Sequence, residues 1–191
     1  MKKRAKFLTN VTDVNKIYMR NVIKDGDIVV DATMGNGNDT KFLAELVGQN
    51  GFIYAFDVQP QALEETSRLL EKSGFTENVS LILDGHENIL KHVDREVDFV
   101  IFNLGYLPRA DHNVKTRPET TIKAVEGALS LLKQNGIMSI AMYTGHDGGK
   151  EERDMVYSYL EKLPQDEFSV MENIFVNQVN NPPQLLIVEK I

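Results

Sequence analysis

The chain has 191 residues, 42% hydrophobic and 26% charged, with 21 basic against 28 acidic side chains for a net charge of −7. That size suits one self-sufficient domain. No apolar run approaches a membrane span, no signal-peptide h-region follows Met1-Lys-Lys-Arg-Ala-Lys6, and the lack of cysteine excludes disulfides, thiolate metal sites and cysteine nucleophiles, so a cytoplasmic protein without a metal site is expected.

Residues 13–24 predict a helix with Val14, Ile17, Tyr18 and Val22 on one face, ended by Asp25-Gly26. Residues 27–31 read as a short buried strand, 39–48 as a helix after a glycine-rich turn, and 52–57 as a second strand. Pro60 opens a helix over 60–73. A third strand at 79–83, a short helix near 87–92 and a fourth strand at 97–102 follow. The clearest helix is 117–134, with Thr116 as its cap, Pro118 in its first turn, Ile122, Val125, Leu129 and Leu132 at helical spacing, and Asn135-Gly136 as its stop. Residues 137–143 are a fifth strand and 149–163 another helix. The last two strands, 168–176 and 184–190, have a connection too short for a parallel crossover, so they should pair antiparallel. The expected fold is α/β and Rossmann-like: a mostly parallel seven-stranded sheet, helices on both faces, a C-terminal antiparallel hairpin, and a single domain over 1–191.

Ligands of such sheets sit at the carboxyl ends of the strands. The first strand ends in Asp31-Ala-Thr-Met-Gly35-Asn36-Gly37-Asn38-Asp39. Two glycines allow a tight turn and close backbone approach. The third glycine of the dinucleotide fingerprint is replaced by Thr40, which disfavours an NAD oxidoreductase. An acid at Asp31 suits a ligand carrying an ammonium group better than a diphosphate, which points to S-adenosylmethionine; the bland alternative is a tight turn with an ordinary cap. The second strand ends in Phe56-Asp57-Val-Gln59, where a carboxylate can accept both ribose hydroxyls. The third ends in Asp84-Gly85-His86, an acid and a ring suited to an adenine, though a loop histidine is more often solvent-facing.

The fourth strand runs into Asn103-Leu-Gly-Tyr106-Leu-Pro108, which is similar to the Asn-Pro-Pro-Tyr motif of amino-group methyltransferases with both prolines replaced. An amide oxygen there can accept from an amine and aim its lone pair, and an aromatic ring can stack on the base carrying it. The alternative is a turn with Tyr106 in the core. Arg109, His112, Lys115 and Arg117 follow, a local basic patch on an otherwise acidic chain, suited to phosphates or to a solvated lid. Lys2, Lys3, Arg4 and Lys6 form a second such patch. Tyr143-Thr-Gly-His146 ends the fifth strand on the same edge, and His146 or Asp111 could relay a proton.

In order and spacing, Asp31-Ala-Thr-Met-Gly-Asn-Gly-Asn-Asp-Thr40, Phe56-Asp-Val-Gln59, Asp84-Gly-His86, Asn103-Leu-Gly-Tyr-Leu-Pro108 and Tyr143-Thr-Gly-His146 resemble the MnmM family, once labelled rRNA methylases. The resemblance implies an S-adenosylmethionine-dependent enzyme that methylates the aminomethyl group of 5-aminomethyl-2-thiouridine at the tRNA wobble position, small and homodimeric. By position it places Asn36, Asn38, Asp57, Gln59 and His86 around the cofactor and Asn103 and Tyr106 at the aminomethyl-uridine, while the strand-end reading adds Asp31, Gly35, Gly37, Asp39 and Asp84 to the cofactor candidates. Asn103, Tyr106 and His146 become the catalytic candidates, with Arg109, Arg117 and Tyr143 beside the RNA. Relatives often open the first helix with a histidine, where this chain has Asp13-Val-Asn-Lys16. The rival readings are a methyltransferase of rRNA or another amine, and a module that binds S-adenosylmethionine or RNA without turnover.

Overall fold

The structure is a computed structural model that describes residues 5–105, 116–145, 148–179 and 181–191. Its centre is one seven-stranded sheet in the order β3-β2-β1-β4-β5-β7-β6. The strands are β1 (Ile28–Asp31), β2 (Phe52–Asp57), β3 (Val79–Leu83), β4 (Val97–Leu104), β5 (Leu132–Met142), β6 (Phe168–Asn173) and β7 (Gln184–Lys190). The first five pair in parallel, whereas β7 runs antiparallel between β5 and β6. This is the expected sheet and hairpin. No helix among the described residues is long and apolar enough to cross a membrane.

Strand side chains alternate between faces, and the sequence supplies apolar residues to both. Val29, Ile53, Phe99, Ile101 and Ala141 face one layer, packed under α1 (Val11–Val22), α2 (Asn38–Val47) and Leu63 of α3 (Pro60–Ser73). Val30, Phe56, Val100, Phe102 and Ile140 face the other, packed under α4 (Ile89–His92), α5 (Pro118–Leu131) and α6 (Gly149–Leu160). Phe56, Phe99 and Phe102 are wholly buried, and truncating any of them to alanine should cost about 3–5 kcal/mol. Both layers therefore fix the carboxyl ends of β1, β2 and β4 as a rigid edge.

Two local readings are corrected. The helix predicted to run to residue 134 stops at Leu131, and Leu132 already pairs with Val97. A register shift follows, and Asn135 at φ 63° turns the chain before Ile137 meets Phe99. Thr116 does not cap α5. Arg117 occupies the cap position without a side-chain bond. Instead Thr116 Oγ1 donates to Glu152 Oε2 at 2.7 Å, and Thr121 Oγ1 donates to Glu152 Oε1 at 2.6 Å. A buried glutamate on α6 thereby ties down the start of α5.

Candidate active site

The turn after β1 is built around a hidden carboxylate. Asp31 is fully buried; its Oδ2 accepts from Thr40 Oγ1 at 2.7 Å and its Oδ1 from the Thr33 backbone N–H at 3.2 Å. It sits beneath the loop and fastens the first turn of α2 to the strand end. Burial, reinforced by the nearby Asp39 charge, pushes its carboxyl up to about 7. Gly35 and Gly37 take φ values of 52° and 75°. A Cβ on Gly37 would lie 2.7 Å from Thr66 Oγ1 and 2.8 Å from its Cγ2. Thr66 in turn donates to the Gly35 carbonyl at 3.1 Å, so the loop is seated on α3.

Asp57 stands where the two loops meet. Its Oδ2 accepts the Gly35 N–H at 3.0 Å and its Oδ1 the Gln59 N–H at 2.9 Å. A carboxylate has about four acceptor sites, so each oxygen keeps capacity for a ribose hydroxyl. Burial raises its pKa. Asn36 and Gln59 are half-buried and Asn38 is exposed at the start of α2, all on the rim of the same two strand ends.

At the end of β3 the two sequence candidates separate. Asp84 accepts from the Gly85 N–H, Asn88 Nδ2 and His92 Nε2, each at 2.8 Å, and the His92 and Asn88 bonds hold its carboxyl down at about 2. It organises the turn His86–Asn88 and the helix after it. His86 is buried, with Nδ1 3.3 Å from the Ala32 carbonyl and its ring edge-on to Phe102 at 5.7 Å. A carbonyl only accepts, so Nδ1 carries the proton. Burial lowers the pKa of the ring and keeps it neutral. Nε2 is then an acceptor suited to an adenine amino group.

Asn103 closes the site. Its backbone N–H donates to Thr33 Oγ1 at 2.8 Å, and its Nδ2 donates to Asp39 Oδ2 at 3.0 Å. A carboxylate only accepts, so the amide nitrogen must face Asp39, and among the described residues Oδ1 has no donor and can accept one. Asp39 is held from its other side by Lys16, whose Nζ lies 4.0 Å from Oδ1. Burial raises the Asp39 pKa, against the lowering effects of Lys16 and Asn103. Thr12 Oγ1 lies 3.2 Å from the Tyr143 hydroxyl. Helix α1 therefore crosses the site edge, with Thr12 and Lys16 one turn apart on the same side. Sequence reading assigned no role to Thr12, Lys16 or Thr33. The spacing of Thr12 and Lys16 beside the buried Val11, Asn15 and Met19 was the available signal.

The backbone N–H of Thr116 donates to the Gly105 carbonyl at 3.0 Å, so the chain leaves and re-enters the acceptor edge at one point. Tyr106, Arg109, Asp111, His112 and Lys115, together with His146, Lys2, Lys3 and Arg4, lie outside the described residues. Arg117 is exposed at the start of α5, and Tyr143 is half-buried next to α1.

Comparison with known proteins identifies the family. The family model described as "Putative rRNA methylase" matches residues 53–189. An Arabidopsis thaliana protein named tRNA (mnm(5)s(2)U34)-methyltransferase, chloroplastic, is 39% identical over 163 residues, or 80% of this chain; the chain spans 60% of that protein's length. A crystal structure from Clostridium thermocellum, described as a "putative rRNA-methylase", superposes with a TM-score of 0.94 at 46% identity, covering 96% of this chain and 99% of the other. A Streptococcus mutans "putative methyltransferase", solved in complex with SAH, superposes at 0.87 with 41% identity over the whole of both chains. The chain belongs to the family that the matching model describes as "Putative rRNA methylase", the one its strand-end motifs resemble.

Proposed function

We propose that this chain is a single-domain, S-adenosylmethionine-dependent N-methyltransferase that acts on the aminomethyl group of 5-aminomethyl-2-thiouridine at the tRNA wobble position. The observation that carries the reading is the fixed amide of Asn103: Asp39 takes its nitrogen and leaves its oxygen for an amine. The name of the Arabidopsis relative supports the substrate, and the SAH complex of the Streptococcus relative supports the cofactor.

The residues present fit that cofactor. Asp57 offers two oriented oxygens to a ribose, neutral His86 offers Nε2 to an adenine, and the Asp39 and Asp57 carboxylates flank the loop with acceptors suited to a sulfonium and an ammonium. S-adenosylmethionine, when bound, supplies an electrophilic methyl group. The protein's part is orientation. Asn103 Oδ1 accepts an N–H of the neutral amine and turns its lone pair toward that methyl. A desolvated pocket favours the neutral amine over the ammonium. With the cofactor bound, the amine nitrogen would take the methyl, an N–C bond replacing the C–S bond, and would then shed one proton to solvent. The target base must leave its stack to reach Asn103.

We place the activity in the cytoplasm and in a homodimer. Among the described residues the outermost strand β6 has an unpaired edge with Val170 and Met171 exposed, and Val176 and Val179 are exposed after it, which supports self-association there; light scattering should give twice the 21.6 kDa chain mass. The function is tested by nucleoside mass spectrometry of tRNA from a strain lacking the gene. The reading expects accumulated 5-aminomethyl-2-thiouridine, restored to its methylated form by the wild-type gene and not by Asn103→Ala. A nucleoside profile unchanged by the deletion would refute it.

A further inference from the structure

A cleft outside the described site opens beside the same edge of the sheet. It encloses about 390 Å³ between the first turns of α6 and the segment leading into β7. Its walls carry Lys150 and Arg153 as cations, Thr144, Asn181 and Gln184 as neutral polar groups, and Phe175 as an aromatic face. Among the described residues that line it there is no carboxylate, on a chain of net charge −7. Lys150 and Arg153 are three residues apart on α6 and so share one helix face. Asp154 takes only Arg153 Nη1, at 2.9 Å, in a pair largely open to solvent.

Two polar atoms in the cleft wall are buried and without a hydrogen-bond partner among the described residues: Arg153 Nε, a donor, and Gln184 Oε1, an acceptor. Such atoms are costly to leave unmet. A ligand that answers both must bring an acceptor to the arginine and a donor to the glutamine. A ribonucleotide brings both, with phosphate oxygens for Arg153 and Lys150 and a 2′-hydroxyl for Gln184. Its base adds a face for Phe175.

The position fits as well. Gln184 pairs with Met142, and Met142 with Leu104, the residue after Asn103. Two strand spacings, about 10 Å, separate the amine-binding edge from the cleft, within reach of the nucleotide next to the one presented to Asn103.

We infer that this cleft is a second RNA subsite, which holds the phosphodiester and base of a nucleotide adjacent to the methylated one. The inference rests on the function proposed above and gives an acidic protein a local place to hold RNA. The probe is a fluorescent anticodon stem-loop RNA, titrated by anisotropy over a series of salt concentrations, in parallel with methyl transfer to tRNA carrying the aminomethyl base. For the double variant K150Q/R153Q, RNA binding should weaken about tenfold. The log affinity against log salt should become shallower by about 1 to 2, the loss of one or two phosphate contacts. The KM for tRNA should rise in step, while kcat and S-adenosylmethionine affinity stay within about twofold. Arg153→Lys should recover most of the salt slope, and Phe175→Ala should weaken binding without changing that slope. A double variant that binds RNA with wild-type affinity and slope would overturn the inference, as would a wild-type protein that does not bind the stem-loop. Failure of the functional reading shows separately, as RNA binding without methyl transfer.

Discussion

Replacing Asp31 with asparagine removes a buried charge while keeping its shape. Burial holds the folded carboxyl up at about 7, where an exposed aspartate lies near 3.8. At roughly 1.36 kcal/mol per tenfold change in acidity, that gap amounts to about 4 kcal/mol. The pKa is raised on folding, so the stability that the protonated group allows is present below pH about 4. It is lost as the pH rises through about 7. Between pH 5 and pH 8 the loss attributable to this residue is about 2–3 kcal/mol, or roughly 5–10 °C in Tm for a chain of this length. Asparagine can still accept from the Thr33 N–H and donate to Thr40 Oγ1. The variant should therefore match wild type at pH 5 to within about 2 kcal/mol and gain on it at pH 8. Urea unfolding of both proteins at the two pH values measures this. Parallel pH dependences in the two proteins would refute the argument that Asp31 is a charge held against its desolvation.

Four other outcomes follow from the site. Asp57→Ala should weaken S-adenosylmethionine binding by about ten- to a hundredfold, the loss of hydrogen bonds to a charged group; undiminished affinity by calorimetry would remove the ribose assignment. Asp39→Ala frees the Asn103 amide and removes one carboxylate beside the cofactor loop, so kcat at saturating S-adenosylmethionine should fall at least tenfold while the cofactor Kd rises by clearly less, and Asp39→Asn should recover only part of it; a Kd change as large as the kcat loss would count against positioning. Gly37→Ala combines a φ of 75° with a Cβ 2.7 Å from Thr66 and should cost about 1–3 kcal/mol; a neutral result in thermal unfolding would contradict the close seating of the loop on α3. Thr121→Val leaves one oxygen of buried Glu152 without its donor and should cost about 1–3 kcal/mol, and Tm unchanged to within a degree would show that the tie between α5 and α6 carries no stability.

The sheet was legible in the sequence because its strands are short apolar runs between helices of clear period. Residues 52–57, 60–73 and 79–83 emerge with the expected bounds. The end of α5 was not, because Leu132 continues the helical spacing while tertiary pairing with Val97 claims it for β5. Thr116 was misread for a related reason: a hydroxyl before Pro118 has the local pattern of a cap, and only the fold reveals Glu152, distant in sequence, as its partner. The strand-end positions of Asp57 and Asn103 could be read from the sequence. The Lys16–Asp39–Asn103 chain could not, since it joins α1, α2 and β4 across the sheet edge. Asp84 and His86 show the same limit. Neighbours in sequence, they turn to different partners, and nothing local foretells which one faces inward.

The central claim is that Asn103 presents an aminomethyl group for methylation. The direct measurement incubates purified protein with S-adenosylmethionine and tRNA carrying 5-aminomethyl-2-thiouridine, then digests the tRNA and resolves its nucleosides by mass. The account predicts one added methyl on the aminomethyl nitrogen of the wobble nucleoside, and its near-complete loss in Asn103→Ala at unchanged cofactor affinity. A methyl found on the ring or ribose, or an Asn103→Ala variant with wild-type turnover, would contradict it.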